Sequence, residues 1–131
     1  MRMKTDDDVK NLEKLIGQLQ SLHTEISQLT KKSANDGLNI FKLRIVNGIL
    51  AKADQILLGS YKPLEDFNGF DEDALPTNSD VTMILALYMD QLERVRSDNV
   101  DYRDFEWQYV VDGKRSGIKC NPPTRIGGDK K

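Results

Sequence analysis

Leu12, Leu15, Leu19, Leu22, Ile26 and Leu29 recur at intervals of 3, 4, 3, 4 and 3 residues, and no other feature restricts the fold of this chain so tightly. On an α-helix those intervals return every side chain to one stripe, the pattern of three heptads of a and d positions, whereas a strand would scatter them over both faces. The spacing predicts a helix from about Asp7 to Lys32. Asp6, Asp7 and Asp8 stand at its start and Lys31 and Lys32 at its end, each in the sense that favours the helix dipole. Gly17 lies off the stripe, where glycine costs about 1 kcal/mol of helix propensity relative to alanine.

Such a stripe needs cover, and the rest of the chain supplies two more amphipathic segments. Ser33 and Asp36 resemble a capping pair for a second helix that runs to about Leu58, before Gly59-Ser60. Its apolar face is expected at Leu38, Phe41, Ile45, Ile49, Ala53 and Ile56, widened by Val46, Leu50 and Leu57. Pro63, Asn68-Gly69, Asp71-Glu72-Asp73 and Pro76 break the periodicity over residues 60–76. An acidic loop that long inside a small domain is expected to anchor itself through Leu64, Phe67, Phe70 and Leu75. Thr77 and Asp80 then form a plausible capping box for a third helix, with Val81, Ile84, Leu85, Tyr88, Leu92 and Val95 on its stripe. Met83 and Leu87 fall outside that stripe, which makes them a second packing surface or a patch for a partner.

After Asp98 the period shortens. Phe105, Trp107, Tyr109 and Val111 alternate with other residues, Asp112-Gly113 offers a tight turn, and Lys114 to Lys119 can return as a partner strand. The stretch CNPPTRIGGDKK is expected to be extended or mobile. The fold class is therefore mainly α: a three-helix antiparallel bundle, or a helical hairpin plus a third helix, with a short C-terminal β-ribbon or extended tail. Residues 1–111 are read as the bundle with its acidic loop at about 60–76, and residues 112–131 as a basic, Pro/Gly-rich C-terminal segment.

With 131 residues, 38% hydrophobic and 31% charged, the chain suits one folded domain. Residues 1–112 carry 13 Lys/Arg against 20 Asp/Glu, whereas residues 113–131 carry six against one. Nucleic acid would be repelled by the first part and attracted by the second. The start MRMKTDDDVK lacks the apolar run of a secretory signal, the longest apolar stretch is interrupted by charges, and Cys120 is the only cysteine. A cytoplasmic protein without membrane attachment is the expectation.

Motifs for chemistry are sparse. His23, the only histidine, has Leu19 and Ser27 four positions away rather than a carboxylate, so a structural role is expected. Cys120 has no histidine near it in sequence, zinc and calcium patterns are lacking, and Gly127-Gly128-Asp129-Lys130 has the wrong spacing for a phosphate loop. No cofactor or metal is expected. Three functions remain. The leading one is a non-catalytic protein-interaction module, acting as adaptor, accessory subunit or inhibitor and able to self-associate through its coiled-coil stripe. Its candidate contacts are Leu15, Leu22, Met83, Leu87, Phe105, Trp107, Tyr109, Lys114 and Arg115. The second is nucleic-acid association, with Trp107 and Tyr109 stacking bases and Lys114, Arg115, Lys119 and Arg125 meeting phosphates. The third is a small enzyme working with carboxylates alone.

Overall fold

The computed structural model describes residues 2–124 and contains three helices followed by a small antiparallel sheet. Helix α1 spans Asp6–Ser33 and begins with a reciprocal capping box. The Asp8 amide donates to Thr5 Oγ1 at 3.2 Å, and the Thr5 amide donates to Asp8 Oδ2 at 3.1 Å. Val9, Leu12, Leu15, Leu19 and Ile26 are buried along it, with Leu22 and Leu29 half-buried at the edge.

Helix α2 covers Ile40–Ile56, and both its cap and its buried face differ from the sequence expectation. Helix α1 continues through Ser33, so that residue cannot cap the next helix; Asn39 does, its side chain accepting from the Lys42 amide at 2.9 Å. The inward stripe is Leu43, Val46, Leu50 and Ala53, continued by Leu57. Phe41 and Ile45, placed by sequence in the core face, are 72% and 41% exposed. Both stripes have helical spacing, and packing against α1 selects the one that includes the fully buried Leu43 and Leu50.

Helix α3, Asn78–Ser97, begins at Thr77, whose hydroxyl accepts from the Asp80 amide at 3.1 Å. It runs antiparallel to α1. Asn78 Nδ2 donates to the Ser33 carbonyl at 3.0 Å at one end, and the Thr30 and Thr82 hydroxyls meet at 2.8 Å one turn further in. Helix α2 is antiparallel to α1 as well, with Lys42 near its start paired to Glu25 near the end of α1 at 2.7 Å. Consequently α2 and α3 point the same way, and the segment between them must travel back along the bundle.

That return path explains the long loop. A single 3-10 turn at Gly59–Tyr61 opens it, and Asn47 of α2 clamps its far part by donating to the Phe70 carbonyl and accepting from the Phe70 amide, both at 2.9 Å. Phe67 meets Phe70 edge-on at 5.0 Å and Tyr88 at 6.2 Å between ring centres. Phe67 and Phe70 anchor the loop as expected; Leu64 and Leu75 stay 38% and 46% exposed.

The sheet has three strands in the order β1 (Val100–Arg103), β2 (Glu106–Val111) and β3 (Lys114–Lys119). Asp112-Gly113 joins β2 to β3 with both φ angles positive, as a two-residue hairpin turn requires. Strand β1 extends the expected ribbon by one member. It pairs Val100 with Tyr109 and Tyr102 with Trp107, so these four share a face. Val100 and Tyr109 are buried among the helices, which supplies the backing that an isolated ribbon lacks.

Candidate partner-binding surface

The sequence candidates separate into three groups. Leu15 and Tyr109 are 4% and 0% exposed and belong to the core, so neither lies on a surface a partner can reach. Leu22 and Trp107 are half-buried at the margin of that core. Met83, Leu87 and Phe105 are exposed, at 57%, 38% and 93%, and Lys114 is also in solvent.

Phe105 is the most unusual of these. The sequence pattern puts it on a strand beside Trp107 and Tyr109, but the structure puts it in the turn between β1 and β2. Asp104 and Phe105 have φ of 54° and 67°, and the flanking Arg103 and Glu106 form the last strand pair. Two positive φ angles in a two-residue hairpin match the strand twist and are normally supplied by Asn, Asp or Gly. Asp104 suits its position; a bulky aromatic in this region is an outlier, costing about 1–2 kcal/mol. Burial offers no compensation, because Phe105 is almost entirely in water. Tyr102 on β1 is 56% exposed, and its ring centre lies 5.4 Å from that of Trp107.

Arg115 holds this turn. Its Nε donates to Asp101 Oδ1 and its Nη2 to the carbonyls of both Arg103 and Glu106, each at 3.0 Å, while Asp104 lies 3.7 Å from Nη1. Its side chain is only 17% exposed. Arg115, a partner-contact candidate by sequence, is therefore an internal brace: its fork of donors satisfies carbonyls on both sides of the turn. Next to it, Gln108 and then Lys119 hold the exposed Glu106 carboxyl below its usual range.

A second surface escapes the sequence reading. Turning Phe41 and Ile45 outward aligns them with Arg44, Gly48, Ala51 and Lys52, all exposed on one side of α2. A β-carbon at Gly48 would meet nothing within 4 Å. The available signal is a glycine inside a helix that is apolar on nearly every side.

Polar chemistry concentrates at the end of α3. Arg96, 9% exposed, pairs through Nε and Nη2 with Glu93 at 2.7 and 2.9 Å and also donates to the carbonyls of Asn121 and Pro122 at 2.9 Å. Glu93 Oε2 accepts from the Thr124 amide and hydroxyl at 2.9 and 3.0 Å. Residues 121–124 are thus strapped to the bundle rather than loose; Arg125 and the rest of the expected mobile tail lie outside the described residues. Burial alone would raise the Glu93 carboxyl, but the Arg96 guanidinium and Thr124 outweigh it and hold it below the usual range. Beside the strap is a cleft of about 350 Å³ reached by Glu13, Glu93, Arg96 and Tyr109. Both carboxylates there are already engaged, Glu13 by the Tyr109 hydroxyl at 3.2 Å. Burial pushes the Cys120 thiol up, away from the reactive thiolate.

His23 contacts Ser27 on its own helix at 3.5 Å. Among the described residues, no group of three or more His, Cys, Asp or Glu is placed to hold a metal ion, and no helix is long and apolar enough to cross a membrane. Comparison with protein-family models, curated proteins and solved structures finds no match for this chain.

Proposed function

We propose that this chain works by docking onto another protein, with no catalytic act of its own, and that Phe105 at the sheet tip is the anchor. The observation that carries this reading is a large aromatic side chain 93% exposed on a backbone that disfavours it. The Arg115 brace holds the backbone in this conformation, but no burial of the ring repays the strain, which points to a use outside the monomer. A rigid aromatic on a braced turn is a good hot-spot residue, because it buries much apolar area while losing little conformational freedom. Tyr102 widens the contact, and Arg103 and Lys119, 66% and 77% exposed, stand at its rim. An adaptor, accessory subunit or inhibitor fits this description.

What favours protein over nucleic acid is the dispersal of the basic-aromatic group read from sequence. Tyr109 is in the core, Arg115 is tied to the turn, and Trp107 is half-buried, leaving Lys114 and Lys119 without a continuous stacking platform. The test is site-specific photocrosslinking in native extract, with benzoylphenylalanine at position 105 and, as control, at exposed position 28 of α1. A discrete product is expected from position 105 alone, competed by the unmodified chain but not by Phe105→Ala. Equal labelling from both positions, or none, would refute the reading.

A further inference from the structure

Two Asn-Gly pairs occur in the chain, Asn47-Gly48 and Asn68-Gly69, and the fold treats them oppositely. An asparagine followed by glycine is chemically labile, because the next amide nitrogen can attack the side-chain amide and glycine has no β-carbon to obstruct the approach. Asn47-Gly48 lies within α2, where the Gly48 amide is tied to a carbonyl one turn back and ring closure would require Asn47 to leave its helical dihedrals. The Asn47 side chain is held as well, donating to the Phe70 carbonyl and accepting from the Phe70 amide, both at 2.9 Å. Asn68-Gly69 has neither restraint. It lies in the irregular part of the returning loop, Asn68 is exposed, and neither its side chain nor the Gly69 amide makes a hydrogen bond among the described residues.

We infer that Asn68 is a site of spontaneous deamidation, and that the rearranged product opens the loop that Asn47 clamps. The Gly69 amide nitrogen forms a bond to Asn68 Cγ, the Cγ–Nδ2 bond breaks, and ammonia leaves with the proton released by the Gly69 amide. Water then adds to one of the two carbonyls of the resulting ring. Opening at Cγ gives aspartate, whereas opening at the backbone carbonyl gives isoaspartate, whose main chain runs through Cβ and Cγ. The isoaspartyl form lengthens by one atom the link between two anchored residues. Phe67 packs on Tyr88 with 6.2 Å between ring centres, and both backbone groups of Phe70 are bound by Asn47. A β-carbon at Gly69 would stand 3.4 Å from Asn47 Oδ1, so the clamp leaves little room for a displaced main chain. The same chemistry at Asn47 is blocked for as long as α2 stays folded.

The full chain is aged in mildly alkaline buffer made with heavy-oxygen water, then digested and mapped by mass spectrometry. Oxygen taken from the buffer marks reaction during ageing rather than during digestion. In the folded chain, product at Asn68 should form at least about tenfold faster than at Asn47, and in guanidinium the two sites should react alike. Either product carries a new negative charge, which separates it from the parent on ion exchange. The isoaspartyl chain should lose exchange protection at the Phe70 amide, whereas Asn68→Asp, which has the charge with no added backbone atom, should keep it. No product at Asn68, equal rates in the folded chain, or a difference of that size that persists in guanidinium would overturn the assignment. An isoaspartyl chain with the Phe70 amide still protected would overturn the opening of the loop.

Discussion

Phe105 occupies a position that glycine fills at the lowest conformational cost, which leads to an unusual expectation for a large apolar side chain. Phe105→Gly turns the connection into Asp-Gly, a favoured pair for this hairpin turn, and removes no packing. Relief of the left-handed strain, less the entropy of a new glycine, should stabilise the fold by about 1 kcal/mol in urea unfolding while abolishing crosslinking to a partner. Arg115 behaves oppositely. Arg115→Met keeps the side-chain bulk but removes donors from Asp101 and from the Arg103 and Glu106 carbonyls, so a loss of about 2 kcal/mol is expected. Faster amide exchange confined to β1 and β2 would accompany it. Phe105 was a partner-contact candidate in the sequence, but its turn conformation and the brace of Arg115 were not visible in one dimension, because nothing in a sequence places Arg115 beside a turn ten residues earlier.

At the scale of the element, α2 is the informative case. Its segment is apolar on nearly every side, with two interleaved stripes of helical spacing, Leu43-Val46-Leu50-Ala53 and Phe41-Ile45-Ile49. Substitutions separate them. Leu50→Ala should cost about 3 kcal/mol by opening a cavity in the core, whereas Phe41→Ala should stay within about 0.5 kcal/mol. Gly48→Ala should gain about 1 kcal/mol from helix propensity, since the new methyl meets no neighbour. Chemical denaturation of the three variants decides whether the inward stripe has been identified correctly. Helices α1 and α3 each have one dominant apolar stripe, with Met83 and Leu87 of α3 left exposed off it, and α3 starts at the capping residue Thr77 that the sequence marks.

The whole molecule is held together by devices that join distant parts of the chain. Asn47 fastens the returning loop, Tyr88 and Tyr61 tie α2 and the loop to α3, and the Arg96–Glu93 pair straps residues 121–124 across the end of the bundle. Burial, and then the hydrogen bond to Asp98, push the Tyr61 phenol up to about 12, so it remains a donor at neutral pH. For Glu93 the folded chain lowers the pKa, and the direction sets the pH response. Its contribution is complete above the ordinary value of 4.5 and disappears as pH falls through the lower folded value. Thermal midpoints of the native chain should therefore drop more steeply below pH 4.5 than those of Glu93→Gln, and the Thr124 amide should lose its exchange protection over the same range.

Local order in this chain was written in its sequence: the α1 stripe, the helix start at Thr77, the turn at Asp112-Gly113 and the aromatic anchors Phe67 and Phe70 all follow from helical period, capping chemistry and turn preference. These depend on residues a few positions apart. Tertiary structure alone decided which stripe of α2 turned inward, that α3 lies parallel to α2 and so requires a long return, and that Phe105 leaves its strand for a braced turn. Each of these choices compares neighbours brought from far along the chain, and the free-energy difference between them arises only when those neighbours meet.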